Sequence, residues 1–97
     1  MVASFTIFIL ESVTPSIRGE LTRWMIEPKA GVFVGKVSAL VRNKLWEKII
    51  KNLKKGGCIL IYSYNNEQGY KIESFGDTTR EIVDFEGLSL VMRQEKP

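Results

Sequence analysis

Ninety-seven residues, 44% hydrophobic and 26% charged, make one compact domain of the folded, soluble type, spanning 1–97, with no room for a second. A single cysteine excludes an internal disulfide and a multi-cysteine zinc site. The absence of histidine removes the usual general base, the Ser-His and Cys-His nucleophile pairs and imidazole metal ligands. Any hydrolytic chemistry must therefore rest on carboxylates and a hard cation such as Mg2+, and no organic cofactor is expected.

In chain order, residues 4–10 form a nearly continuous apolar, β-rich run that suits a central strand buried on both faces. At six residues, "FTIFIL" is far below the ~18 needed to cross a bilayer, and no basic leader precedes it, so a cytoplasmic protein with no membrane association is expected. Glu11 ends this run, either marking where a strand stops or supplying a carboxylate for chemistry.

Thr14 and Pro15 read as an N-cap and first helical position. Ile17, Leu21, Trp24 and Met25 then recur on one face of an amphipathic helix that Pro28 stops. "GVFVG" is a short strand between glycines, and we expect residues 29–37 to form the second strand. Ser38 caps a second helix with Val41, Leu45, Trp46, Ile49, Ile50 and Leu53 on its apolar face, closing at Gly56-Gly57. "CILIYSY" and "YKIESF" flank the turn "NNEQG" as a hairpin taken to supply the third and fourth strands, and "LSLVM" is a fifth candidate. Cys58, at the head of an apolar run, reads as a small buried hydrophobe. These elements predict an α+β ferredoxin-like sandwich, an antiparallel sheet with two helices on one face.

Charge divides the chain. Residues 16–55 hold ten Lys and Arg against three Glu, whereas residues 56–97 hold four basic and seven acidic side chains. The basic half suits a phosphate backbone. For Lys48, Lys51, Lys54 and Lys55 the simpler reading is a solvated outer helix face; Arg18 and Arg23, beside the Glu11 loop, gain more from their position. No phosphate-binding loop or dinucleotide fingerprint occurs, because "GGCIL" precedes a strand instead of opening a helix. Tyr62, Tyr64 and Tyr70 are candidates for base stacking, although "GYKIESF" fits an RNA-recognition motif poorly. A regulatory or RNA-binding module on the same common fold stays open on these grounds.

Four blocks carry a resemblance across residues 5–90: "LESVTPSIRGEL", "RWMIEPKAGVFVGKVSALVRNKLWEKI", "NEQGYKIESFG" and "IVDFEGLSLV". The chain resembles the small CRISPR-associated protein that partners the integrase in spacer acquisition, in its type I-E form, a family often described as endoribonucleases. The middle block is the most specific, since G-V-F-V-G, then S-A, then a Trp on the following helix is not general to α/β domains.

The resemblance implies a homodimer with facing sheets and a C-terminal strand completing the sheet of the other copy. It implies CRISPR integrase and prespacer double-stranded DNA as partners. It matches Glu11 to the acid assigned as catalytic and metal-binding, with magnesium as the cation. Arg18 and Arg80 match DNA-contacting positions, while Ser16 and Thr79 stand where relatives can carry arginine, a loss that Arg23 or Lys36 would make good. Glu67 and Glu86 match acids that face the basic integrase.

Overall fold

The computed structural model describes residues 3–53, 56–76, 80–85 and 88–93. Its order is β1 (Ala3–Leu10), α1 (Pro15–Thr22), β2 (Ile26–Lys29), β3 (Val32–Ser38), α2 (Ala39–Asn52), β4 (Gly57–Ser63), β5 (Tyr70–Gly76), β6 (Arg80–Phe85) and β7 (Leu88–Arg93). Five strands form one antiparallel sheet in the order β2-β3-β1-β4-β5, and β6 pairs with β7 in a separate two-stranded ladder. Elements β1 to β4, with the two helices, follow the β-α-β-β-α-β plan, so the fold is the ferredoxin-like α+β class.

Three expectations are corrected. The second strand, expected over residues 29–37, is two strands, β2 and β3, joined through Ala30 and Gly31. That division restores the split plan and makes the later hairpin β4 and β5, not the third and fourth strands. Secondly, α1 ends at Thr22 although its apolar spacing runs on to Met25. The Trp24 and Met25 amides both donate to the Leu21 carbonyl, folding the chain back; Met25 is buried, while Trp24 is half exposed and leaves the predicted inner face. Pro28, expected to stop a helix, lies instead in edge strand β2, where a missing N–H is tolerated. Thirdly, β6 is an additional strand before the predicted "LSLVM" strand, which is found as β7.

The predicted caps hold. Thr14 Oγ1 accepts from the Ile17 amide at 3.2 Å and Ser38 Oγ from the Val41 amide at 3.3 Å. Strand geometry, which turns successive side chains to opposite faces, then sorts β1 cleanly. Thr6, Phe8 and Leu10 turn toward the helices and are buried, joined there by Phe33 and Val37 of β3, Cys58, Leu60 and Tyr62 of β4, and Ile17, Leu21, Leu45 and Ile49 of the helices. Phe8 stacks on Trp46 with ring centroids 6.2 Å apart. Cys58 is buried as expected, and burial pushes its thiol up to about 11, so it stays neutral and inert at ordinary pH.

The opposite face is apolar too. In register across it lie Ile7 with Val34 and Ile61, Ile9 with Val32 and Ile59, and Ile61 with Ile72. Most of these are only half-buried, and Phe5 and Ile26 on the same side are exposed. An antiparallel sheet that met water on this side would carry polar residues there.

Candidate nucleic-acid interface

One end of the sheet carries Glu11 and lies beside the start of α1, which bears Arg18. There β1 finishes, and its last main-chain groups reach sideways to both neighbours. Leu10 N–H donates to the Gly31 carbonyl at 2.8 Å, and Glu11 N–H donates to the Gly57 carbonyl at 3.0 Å. The Glu11 carboxylate completes this join, its Oε1 accepting from Gly57 N–H at 2.5 Å. The join needs glycine: Gly56 has φ +79°, and a Cβ there would come within 2.9 Å of both Glu11 Cβ and Oε1. Gly31 (φ +83°) is equally constrained, because a Cβ would overlap the Leu10 carbonyl oxygen.

Glu11 is thus exposed, but one of its oxygens is engaged in holding β1 to β4. Among the described residues no three Cys, Asp or Glu side chains gather where they could hold a metal ion. A hard divalent cation takes six or more oxygens, several of them water, so the one carboxylate that a single copy offers here does not fit a metal site by itself.

Arg18 projects from the middle of α1, and its side chain is 45% exposed. It is not a free cation. Its Nε donates to both oxygens of Glu27, at 3.0 and 3.3 Å, and its Nη2 donates to Glu27 Oε2 at 3.2 Å. Glu27 is itself fixed, accepting from Gly31 N–H at 3.0 Å, with its side chain only 16% exposed. The bond from Arg18, then that from Gly31, holds the Glu27 carboxyl below its ordinary value. Since that value is depressed in the folded chain, the contribution is present above pH 4.5 and lost as pH falls through the folded value. Arg23, the C-cap of α1, lies 3.6 Å from Glu20, whose other oxygen accepts from Lys48 Nζ at 2.6 Å. Lys48 first and Arg23 less hold the Glu20 carboxyl low.

The remaining predicted residues are dispersed. Lys36 sits in register with Phe5 on the sheet face away from the helices, so it does not join Arg18 and Arg23. Arg80 is the first residue of β6. It follows Gly76 by four residues, and Gly76 pairs with Gly57 beside Glu11, so the chain can carry Arg80 at most about 14 Å from that sheet end. Glu67 is exposed in the β4–β5 turn, closed by Gly69 N–H donating to Asn66 Oδ1 at 2.7 Å. Glu86, Thr79, Lys54 and Lys55 lie outside the described residues.

Sequence reasoning missed Glu27, because nothing in the helical spacing of α1 links it to Arg18 nine positions earlier. It also missed Arg42. This residue lies 3.8 Å over the Tyr62 ring with its Nε buried and without a hydrogen-bond partner among the described residues. Tyr62 donates its hydroxyl to Glu73 at 3.0 Å, and burial, then that bond, raise its phenol. Of the three tyrosines considered for stacking, Tyr62 is therefore a core residue; Tyr64 stays half exposed under Lys71 at 4.1 Å.

A model of the family described as CRISPR-associated protein (Cas_Cas2CT1978) matches residues 5–90. The matched span takes in the whole five-stranded sheet from Phe5 onward, both helices and the Glu11 end just described.

The join between β1 and β4 makes a prediction. Glu11→Gln keeps a carbonyl acceptor for Gly57 N–H and should unfold within about 0.5 kcal/mol of wild type, whereas Glu11→Ala should lose about 1–3 kcal/mol in urea unfolding. Equal stability of the alanine variant would show that the join is not structural.

Proposed function

The chain belongs to this CRISPR-associated family, and from that premise we propose that it serves spacer acquisition as a type I-E homodimeric adaptor, bridging integrase dimers and holding prespacer duplex DNA by its phosphates. The observation that carries the reading is the 45% exposed Arg18 side chain on α1, within the Lys- and Arg-rich stretch 16–55, together with the short tether that keeps Arg80 within about 14 Å of the Gly76–Gly57 end of the sheet. Phosphate contacts of this kind position a duplex without reading its bases, as a protein accepting varied DNA segments requires.

A second copy suits the unpartnered apolar sheet face around Ile7, Val34 and Ile61, and facing sheets would bury it. Such a dimer presents two copies of the α1 end, a spaced pair of basic patches. Glu67, on an exposed turn, and Glu86 are the acids offered to a basic integrase surface.

A second reading, a magnesium-dependent endonuclease of RNA or DNA, rests on the exposure of Glu11 at the same sheet end. Because one carboxylate does not make the site, this reading needs Glu11 of both copies to meet.

Three measurements test these readings. Arg18→Ala combined with Arg80→Ala should weaken duplex binding and flatten the slope of log K against log salt by nearly one for every phosphate no longer neutralised; an unchanged slope removes these residues from the interface. Ile7→Glu should convert the dimer to a folded monomer in sedimentation, and a dimer that persists would place the contact elsewhere. Glu11→Gln should support spacer acquisition at the wild-type level if the role is scaffolding; loss of both acquisition and magnesium-dependent cleavage would instead favour the nuclease.

A further inference from the structure

We propose that Glu27 is a built-in counter-ion for Arg18, one that competes with nucleic-acid phosphate and so limits duplex affinity and its salt dependence. The inference rests on the duplex-binding reading of Arg18 given above.

The geometry is that of a two-pronged guanidinium–carboxylate pair. Glu27 occupies the Nε–Nη2 edge of Arg18, with three N–H···O contacts of 3.0 to 3.3 Å. This edge is one that a phosphate would also use for a bidentate contact. Glu27 cannot follow the arginine outward, because its backbone belongs to β2 and its Oε2 is tied to Gly31 N–H at 3.0 Å. Gly31 in turn gives its carbonyl to the Leu10 amide. The carboxylate is therefore anchored to the sheet while Arg18 sits on the more exposed helix surface, 45% exposed against 16%.

A phosphate drawn to the remaining N–H groups of Arg18 would lie beside this carboxylate, like charge against like. Binding is then strongest when Arg18 swings off Glu27. The ion pair thus holds an exposed cation near neutrality in the free protein and releases it only to a polyanion dense enough to outcompete one fixed carboxylate. A duplex, with one charge per ~1.7 Å of axis, is such a polyanion.

The test is Glu27→Gln, which keeps the shape and a carbonyl acceptor for Gly31 N–H but removes the charge. With a circular dichroism spectrum matching wild type, it should bind a short duplex about three-fold or more tighter at low salt, with a slope of log K against log salt steeper by just under one. The Arg18→Ala/Glu27→Gln double variant should bind like Arg18→Ala alone. A gain that survives without Arg18 would mean that Glu27 acts only through general charge, and the proposal falls. It falls also if Glu27→Gln leaves affinity and slope unchanged while Arg18→Ala weakens binding, an outcome that spares the duplex-binding reading. If Arg18→Ala itself changes nothing, that reading fails first. In the wild-type protein the Arg18 Nε–H resonance should move when duplex is added, and an unmoved resonance with duplex bound would overturn the competition independently of any variant.

Discussion

The structure depends on how β1 ends. A central strand has neighbours on both sides, and its final groups must be satisfied on both sides at once. Here that is done by Leu10 to Gly31 on the β3 side and by Glu11 to Gly57 on the β4 side, the second link doubled by the Glu11 carboxylate. Because Gly31 also donates to Glu27, and Glu27 holds Arg18, the row of bonds continues without a break from β4 across the sheet to α1. The position of the exposed arginine is therefore set by the same contacts that close the sheet. Gly56 and Gly31, both at positive φ, are the points where a side chain would break the row.

This coupling explains why the charge pattern is only half informative. Counting residues makes the first half of the chain strongly basic, which it is. Folding then assigns two of the three carboxylates of residues 16–55 to the arginines that look most available, Glu27 to Arg18 and Glu20 to Arg23 together with Lys48. The exposed pairs around Glu20 contribute little to stability and are weakened by salt. The pair at Glu27 is better fixed, since its carboxylate is shielded and held by a main-chain amide. The surface stays basic overall, but its Arg18 guanidinium is held in a fixed pair instead of standing free.

Much of the fold is legible in the sequence because its signals are local. Thr14-Pro15 and Ser38 act within one helical turn, and the continuous apolarity of "FTIFIL" suits a central strand with two apolar faces wherever the strand is placed. The hairpin of β2 and β3 is harder to read. Its turn rests on Gly31 at positive φ, where a side chain would overlap the carbonyl of Leu10, twenty-one positions away, and no periodicity marks it. Trp24 misleads for a related reason: helical spacing counts it inward, yet the helix ends at Thr22 before reaching it. In the site, Arg18 and Glu11 are visible as types at the end of a strand and on a helix. Glu27 and Arg42 are not, because their roles come from neighbours supplied by tertiary packing.

Pro28 gives the sheet a direction. The outer edges of an open sheet are places where another strand can add, and the two edges here are unlike. On β2 the strand is four residues long, its register with β3 shifts between Ile26 and Lys29, and Pro28 has no N–H to offer an incoming chain. On the far side β5 runs for seven residues without a proline and pairs with β4 in continuous register. Of the two edges of the described sheet, β5 thus offers the longer unbroken row of backbone groups, and β2 offers a short row interrupted at Pro28.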